Sequence, residues 1–204
     1  MSSSDSQAPR RFLAPLFLAL VFLGACATEP PPRDFPEIGF AHLAPIQLDV
    51  GTIEVERLDR PSGQPPRVDH LFPNPPGEVA ETWARERLEA AAPGSANTAQ
   101  VLIREASVIE VPLPRTPGIK GAFTTDQSER YDAKVAIDVR IFDAYGNFLG
   151  NAEAEALRSL TLPEDATLGE REDAWFRMTE TLFRDLDREL ENNIRGALYS
   201  YVLN

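Results

Sequence analysis

The sequence predicts an α+β domain, with a mostly antiparallel sheet of about four strands and a shorter helix and a long C-terminal helix packed on one face. Residues 131–141 alternate apolar and polar side chains, which is typical of a strand with one buried face. Residues 168–201 repeat apolar side chains every three or four positions, which indicates an amphipathic helix. The order strand, helix, strands and closing helix places helices over one face of the sheet.

The first strand and the first helix are predicted between residues 46 and 91. The strand has apolar residues at Ile46, Leu48, Val50, Ile53 and Val55, and a β-bulge is expected where the alternation breaks at Gly51. The prolines of residues 59–76 predict a loop. A helix follows over 77–91 and ends before Pro93 and Gly94. Its predicted buried stripe comprises Val79, Ala80, Trp83, Ala84, Arg87 and Leu88.

The remaining strands are predicted at 99–111, 131–141 and 148–162, the last two joined by a tight turn. Small residues on the last strand leave room for the closing helix to pack closely; they are Ala152, Ala154 and Ala156. The buried stripe of that helix includes Trp175, Thr179, Leu182, Leu186, Leu190, Ile194, Leu198 and Tyr201, widened by Phe176 and Phe183. Its charged residues are expected on the outer side; they include Arg184, Asp185, Asp187, Arg188 and Glu191.

An apolar run at residues 12–25 follows two arginines and is too short to cross a bilayer, so it is typical of a secretory signal. It ends in Leu23-Gly24-Ala25-Cys26, which resembles the lipobox of bacterial lipoproteins. That resemblance implies diacylglycerol and an N-acyl chain on Cys26, with cleavage before it. Cys26 is the only cysteine, so no disulfide can form within one chain. The alternative is an ordinary signal peptide with a cysteine near its cleavage site.

The predicted organisation is a signal peptide at 1–25, an acylated cysteine and Pro-rich tether at 26–45, and one periplasmic domain at 46–204. The second half of the tether could instead lie on the domain, since it contains Phe35, Ile38, Phe40 and Leu43. In Gram-negative lipoproteins an aspartate after the acylated cysteine favours the inner membrane. This chain has Ala27 there, so the resemblance implies the outer membrane, with the body in the periplasm.

The formal net charge of −12 bears on the choice of partners. Nucleic acid and anionic lipid headgroups are polyanions that repel such a chain. We therefore expect no nucleic-acid partner, and we expect membrane affinity to come from the acyl chains.

The sequence contains no motif of a common enzyme class. It has no Gly-x-Ser-x-Gly elbow, no Gly-rich phosphate loop and no paired-histidine metal motif. His42 and His70 stand alone in loop sequence, and Glu153 and Glu155 are expected on a solvated strand face. We predict that the protein is not an enzyme and has no catalytic residue, metal or cofactor apart from the lipid on Cys26.

A long connection at 112–128 combines basic and apolar side chains between two strands. We predict that it contacts a partner protein or a lipid; the alternative is a mobile hairpin tip without a partner. The candidate contact residues are Leu113, Arg115, Ile119, Lys120 and Phe123.

Three features resemble the ABC-type transport auxiliary lipoproteins: the Leu-Gly-Ala-Cys motif, the sequence Trp-Ala-Arg-Glu-Arg-Leu at 83–88, and the hairpin at 131–148 with its closing helix. The resemblance implies an accessory subunit of an envelope transport or assembly system, with ABC transporter components as partners. A second hypothesis is a structural outer-membrane lipoprotein that supports envelope integrity or barrel assembly. An enzyme acting on cell-wall material is a third.

Overall fold

The computed structural model describes residues 33–114, 127–163 and 165–204, and it confirms the α+β fold. Short 3₁₀ turns occur at Asp69–Leu71 and Tyr199–Tyr201. The strands and helices are β1 (Ile46–Leu48), β2 (Thr52–Arg57), α1 (Pro76–Arg87), β3 (Leu88–Ala90), β4 (Thr98–Pro112), β5 (Gln127–Phe142), β6 (Phe148–Pro163) and α2 (Leu168–Ala197).

Two sheets are present in the described part of the chain. The larger has the order β2-β4-β5-β6, and its β4–β5 and β5–β6 pairs are antiparallel, as predicted. The pairs β2–β4 and β1–β3 are parallel, an arrangement that the sequence patterns do not predict. Parallel neighbours need a long crossover between them, and the segment that carries α1 supplies one for β2 and β4.

The prediction of one bulged strand at the start of the domain is wrong, because β1 and β2 belong to different sheets. Gly51 lies between them and donates its N–H to the carbonyl of Asn97 at 2.9 Å. A Cβ added at Gly51 would lie 2.3 Å from the carbonyl oxygen of Ser95. Two backbones therefore pass so closely here that only glycine fits.

The first helix is shorter than predicted, because it ends at Arg87 and the chain continues as β3. Leu88 pairs with Ile46 in the small parallel sheet. Just beyond β3, Ala91 donates its N–H to the carbonyl of Leu48 at 3.0 Å. These backbone bonds to β1 replace the helical bonds of a further turn, so tertiary pairing decides where α1 ends.

The core lies between the larger sheet and the two helices. Both predicted helix stripes are buried apart from Phe176 and Tyr201, which are half-buried, and both tryptophans pack in the interior. On β5 the predicted inner residues are buried: Tyr131, Ala133, Val135, Ile137, Val139 and Ile141. The opposite face of the sheet is less solvated than predicted, because Asp138 is buried and accepts hydrogen bonds from Arg140 and Asn151.

The N terminus of α2 is fixed by its own sequence. The Thr167 hydroxyl accepts the N–H of Glu170, and the Glu170 carboxylate accepts the N–H of Thr167, so the two form a capping box. The backbone N–H and the hydroxyl of Thr167 both donate to the Glu170 carboxylate, and these two bonds lower the pKa of that carboxyl from its ordinary value. Among the described residues, no helix is both long enough and apolar enough to span a bilayer.

Candidate functional site

The segment 33–45, here called the arm, lies along α2. Arg33 forms an ion pair with Asp173 at 2.8 Å. Further along, the rings of Phe35 and Phe176 are in contact with centroids 5.5 Å apart. The sequence left open whether this segment is an extended tether or lies on the domain, and the structure shows residues 33–45 docked on the domain. Residues 26–32 lie outside the described part of the chain.

The arm is also bound to α1. The carboxylate of Glu86 accepts the backbone N–H groups of Phe40 and Ala41, the second at 3.0 Å. The side chain of Asn74, just before the helix, accepts the N–H of Ile38 at 3.0 Å. Phe40 itself is buried in the hydrophobic core. The arm therefore fills the groove between the two helices rather than resting loosely on it.

A cleft borders the arm on each side. The one beside α2 has a volume of about 510 Å³ and mixes apolar residues with charged ones; its lining includes Ile38, His42, Leu43, Phe176, Glu180, Arg184 and Arg188. The one beside α1, of about 400 Å³, is lined mostly by polar and charged residues. Arg184 and Arg188 pair with carboxylates of their own helix, so the basic charge of the larger cleft is largely neutralised.

Arg87 is buried where the arm, α1 and α2 meet, with 1% of its surface exposed. It donates to Asp187 at 2.7 Å, to Glu191 at 2.5 Å and to the carbonyl of Ala44. Trp83 donates its Nε1–H to the same oxygen of Asp187 at 2.9 Å. The expectation that Asp187 and Glu191 lie on the outer side of α2 is therefore wrong. The presence of Arg87 within the predicted buried stripe of α1 indicates such a buried ion pair in the sequence itself.

One end of the domain, here called the proximal end, is where β4 ends, β5 begins, β6 ends and α2 begins. The arm also starts there, because Arg33 donates to the carbonyl of Gly169 in the first turn of α2 at 2.8 Å. Leu168, in the first turn of α2, is exposed at 60%. Leu71 is exposed at 53% next to Phe72, whose ring stacks on Trp175 two turns further along α2. The proximal end thus brings together the start of the arm and both ends of the 112–128 connection.

Beneath the proximal end lies an aromatic and charged cluster. Tyr131 donates its hydroxyl hydrogen to Glu129 at 2.7 Å and accepts a hydrogen bond from Arg171 at 2.5 Å. Trp175 stacks on Phe72 with centroids 4.8 Å apart and meets Tyr131 edge-on. Burial, and then the hydrogen bond to Glu129, raise the pKa of Tyr131 above its ordinary value of 10.0. The cluster anchors α2 to the strands from which the 112–128 connection leaves.

Of the predicted site residues, the structure describes Leu113 alone, which is half-buried directly after β4. The other predicted residues lie outside the described part of the chain: Cys26, Arg115, Ile119, Lys120 and Phe123.

The acidic pair considered for acid–base chemistry is engaged in ion pairs. Glu155 contacts Lys134 at 3.0 Å, and Glu153 contacts Arg104 at 3.0 Å. His42 lines the larger cleft, and His70 is exposed in a 3₁₀ turn. Within the described ranges, no group of three or more His, Cys, Asp or Glu side chains could hold a metal ion.

The opposite end, here called the distal end, contains the turn between β5 and β6 and the C terminus of α2. It exposes Tyr145 at 91% and Tyr199 at 75%. Phe148, also exposed, meets Phe142 edge-on with centroids 5.9 Å apart. Asp143 accepts the N–H groups of Tyr145 and Asn147 and holds the turn in place.

No protein-family model matches the sequence, and no curated protein matches it. The solved structures that are similar to parts of the chain include a minor lipoprotein from Acinetobacter baumannii, with 11% identity, a TM-score of 0.39, and coverage of 77% of this chain and 98% of that chain. They also include a putative lipoprotein from Caulobacter crescentus CB15, with 14% identity, a TM-score of 0.30, and coverage of 68% and 86%. Lipoprotein GNA1162 from Neisseria meningitidis has 13% identity, a TM-score of 0.22, and coverage of 70% and 99%. All three TM-scores are below 0.5.

Proposed function

We propose that this protein is a lipid-anchored periplasmic lipoprotein without enzymatic activity, and that it acts as an accessory subunit of an envelope transport or assembly system. The lipobox-like sequence ending in Cys26 supports the lipid anchor. The proposed location is the outer membrane, because Ala27 follows that cysteine.

The observation that carries the accessory role is the arrangement of the proximal end. Only six residues lie between Cys26 and Arg33, so the seven Cα–Cα steps between these two residues span at most about 25 Å. Arg33 is held at the first turns of α2 by Gly169 and Asp173. The proximal end therefore stays near the membrane that holds the acyl chains.

The 112–128 connection leaves β4 and enters β5 at that same end. A partner that binds Leu113, Arg115, Ile119, Lys120 or Phe123 would therefore contact this protein close to the membrane. This position suits a transporter subunit or another membrane-bound component better than a free periplasmic protein. The mixture of basic and apolar side chains fits a partner surface that is acidic and partly apolar.

A cross-linking pull-down from detergent-solubilised membranes tests this proposal. Tagged wild type is compared with Cys26→Ser, with the triple variant Ile119→Ser/Lys120→Ser/Phe123→Ser, and with the distal control Tyr145→Ser. We expect the wild type and the control to recover transport or assembly proteins, and we expect the other two variants to recover none of them.

The same experiment separates the second hypothesis from the first. Recovery of barrel-assembly proteins with the wild type would favour a structural role in the outer membrane. Unchanged recovery by the triple variant would exclude those three residues as the contact. If Cys26→Ser still fractionated with membranes, the lipid anchor itself would be wrong.

A further inference from the structure

We infer that the proximal end of the domain rests against the phospholipid surface that holds the acyl chains of Cys26, with Leu71 and Leu168 in contact with lipid. This inference rests on the proposed acylation of Cys26 and goes beyond it, because an anchored domain could otherwise tumble freely or present any face to the membrane.

The length of chain outside the described part limits which surfaces can touch that membrane. The link from Cys26 to Arg33 spans at most about 25 Å, whereas the 30 residues of α2 extend about 45 Å from the proximal to the distal end. While the arm is docked, the link therefore keeps the proximal end near the bilayer, and the exposed Tyr145 and Tyr199 at the distal end reach that bilayer only if α2 lies flat along it.

The docked arm is what imposes this limit. If residues 33–45 detached, they would add about 40 Å of reach and remove any preferred orientation. Their contacts oppose detachment along the whole arm: Arg33 pairs with Asp173, Phe35 contacts Phe176, and Phe40 is buried. The docked arm therefore holds Arg33, where the link to Cys26 begins, at the proximal end.

The chemistry of the proximal end fits a lipid surface. Leu71 and Leu168 expose more than half of their surface there. Two guanidinium groups at the same end, those of Arg33 and Arg130, are 49% and 43% exposed. Each pairs with one carboxylate, that of Asp173 or Asp132, and each has further N–H donors that can bind lipid phosphates. The net charge of −12 disfavours anionic lipids, so the inferred partner surface is a zwitterionic phospholipid such as phosphatidylethanolamine.

Fluorescence quenching on vesicles tests the inference. Because the only cysteine is consumed by acylation, a cysteine introduced into the acylated protein is a single labelling site. Leu168→Cys and Leu71→Cys report on the proximal end, and Tyr145→Cys reports on the distal end. Each labelled protein is bound to phosphatidylethanolamine/phosphatidylcholine vesicles that contain a headgroup-nitroxide lipid. The acylated wild type, which should take up no label, controls for residual thiol at position 26.

We expect the nitroxide lipid to remove most of the fluorescence at positions 168 and 71 and none at 145. Adding Arg33→Ser and Phe35→Ser, which releases the start of the arm, should reduce the difference between the two ends. Equal quenching at both ends, or stronger quenching at 145, would overturn the inference while leaving the anchor intact. If the acylated protein fails to float with vesicles, both the anchor and the inference are wrong.

Discussion

Arg87 donates a hydrogen bond from Nε to Oδ1 of Asp187 at 2.7 Å, and this contact joins two helices across 100 residues of sequence. The guanidinium also donates to the carbonyl of Ala44, which belongs to the arm. One buried side chain therefore holds together α1, α2 and the segment that leads to Cys26. The position of the arm, on which the proposed orientation depends, follows from this contact and from those of Glu86.

Replacing Arg87 by Ala should destabilise the domain strongly. It would leave the carboxylates of Asp187 and Glu191 without their buried partner, and the loss should be about 3–5 kcal/mol. Urea unfolding of the mature chain with Cys26→Ser measures it. Arg85→Ala is the matched control on the same helix, since Arg85 is exposed and should change the free energy of unfolding by less than about 0.5 kcal/mol. Equal losses for both variants would refute the assigned role of Arg87.

Replacing Glu86 by Ala should loosen the arm while the sheet stays folded. The change removes the acceptor of two backbone N–H groups, and bonds to a charged group contribute about 1.5–3 kcal/mol each. Amide hydrogen exchange at Phe40 and Ala41 should accelerate by about tenfold or more. Glu81→Ala, on an outward position of the same helix, should leave those two amides protected. Unchanged protection in Glu86→Ala would mean that other contacts hold the arm.

Two glycine-to-alanine substitutions should have opposite effects on stability. At Gly51 the new Cβ would collide with the backbone carbonyl of Ser95, so the loss should be about 1–3 kcal/mol. At Gly196, within α2, no atom lies within 4 Å of the new Cβ, and alanine should stabilise the helix by about 0.5–1 kcal/mol. Thermal unfolding of both variants measures the difference. A neutral Gly51→Ala would show that the two backbones do not cross as described.

Tyr131 should make folding stability sensitive to alkaline pH. Because its folded pKa is raised above the ordinary 10.0, its stabilising contribution is complete below that pH and is lost as the pH rises through the folded pKa. Absorbance at 295 nm should show a late-ionising tyrosine component, and Tyr131→Phe should remove that component. A titration curve of the variant that retains the late component would assign it to another residue.

The sequence predicted correctly those features that depend on a pattern within a single strand or helix. The alternation on β5 and the three-to-four repeat on α2 each record burial within one element, and both were confirmed to within a few residues at the ends. The small residues of β6 likewise predicted the close packing of α2. These patterns require no knowledge of which strands are neighbours.

The missed features depend on partners that are distant in sequence. Leu88 continues the helical stripe, but β1 offers it backbone bonds, so it becomes strand. Gly51 marks a chain crossing whose other member is Ser95. Asp187 has a charged side chain, which favours a solvated position, but its partner Arg87 lies 100 residues earlier in the sequence and holds it at the helix interface. The predicted contact residues from Arg115 to Phe123 lie outside the described part of the chain, so that prediction rests on sequence alone.

The most direct test of the account is site-specific photo-cross-linking in cells, with a benzoylphenylalanine placed at Leu113 or at Tyr145. The account predicts that position 113, at the proximal end, gives adducts with a membrane-bound transport or assembly protein, that Cys26→Ser abolishes them, and that position 145 gives none. Adducts that form at 145 alone, or that persist at 113 without the anchor, would contradict it.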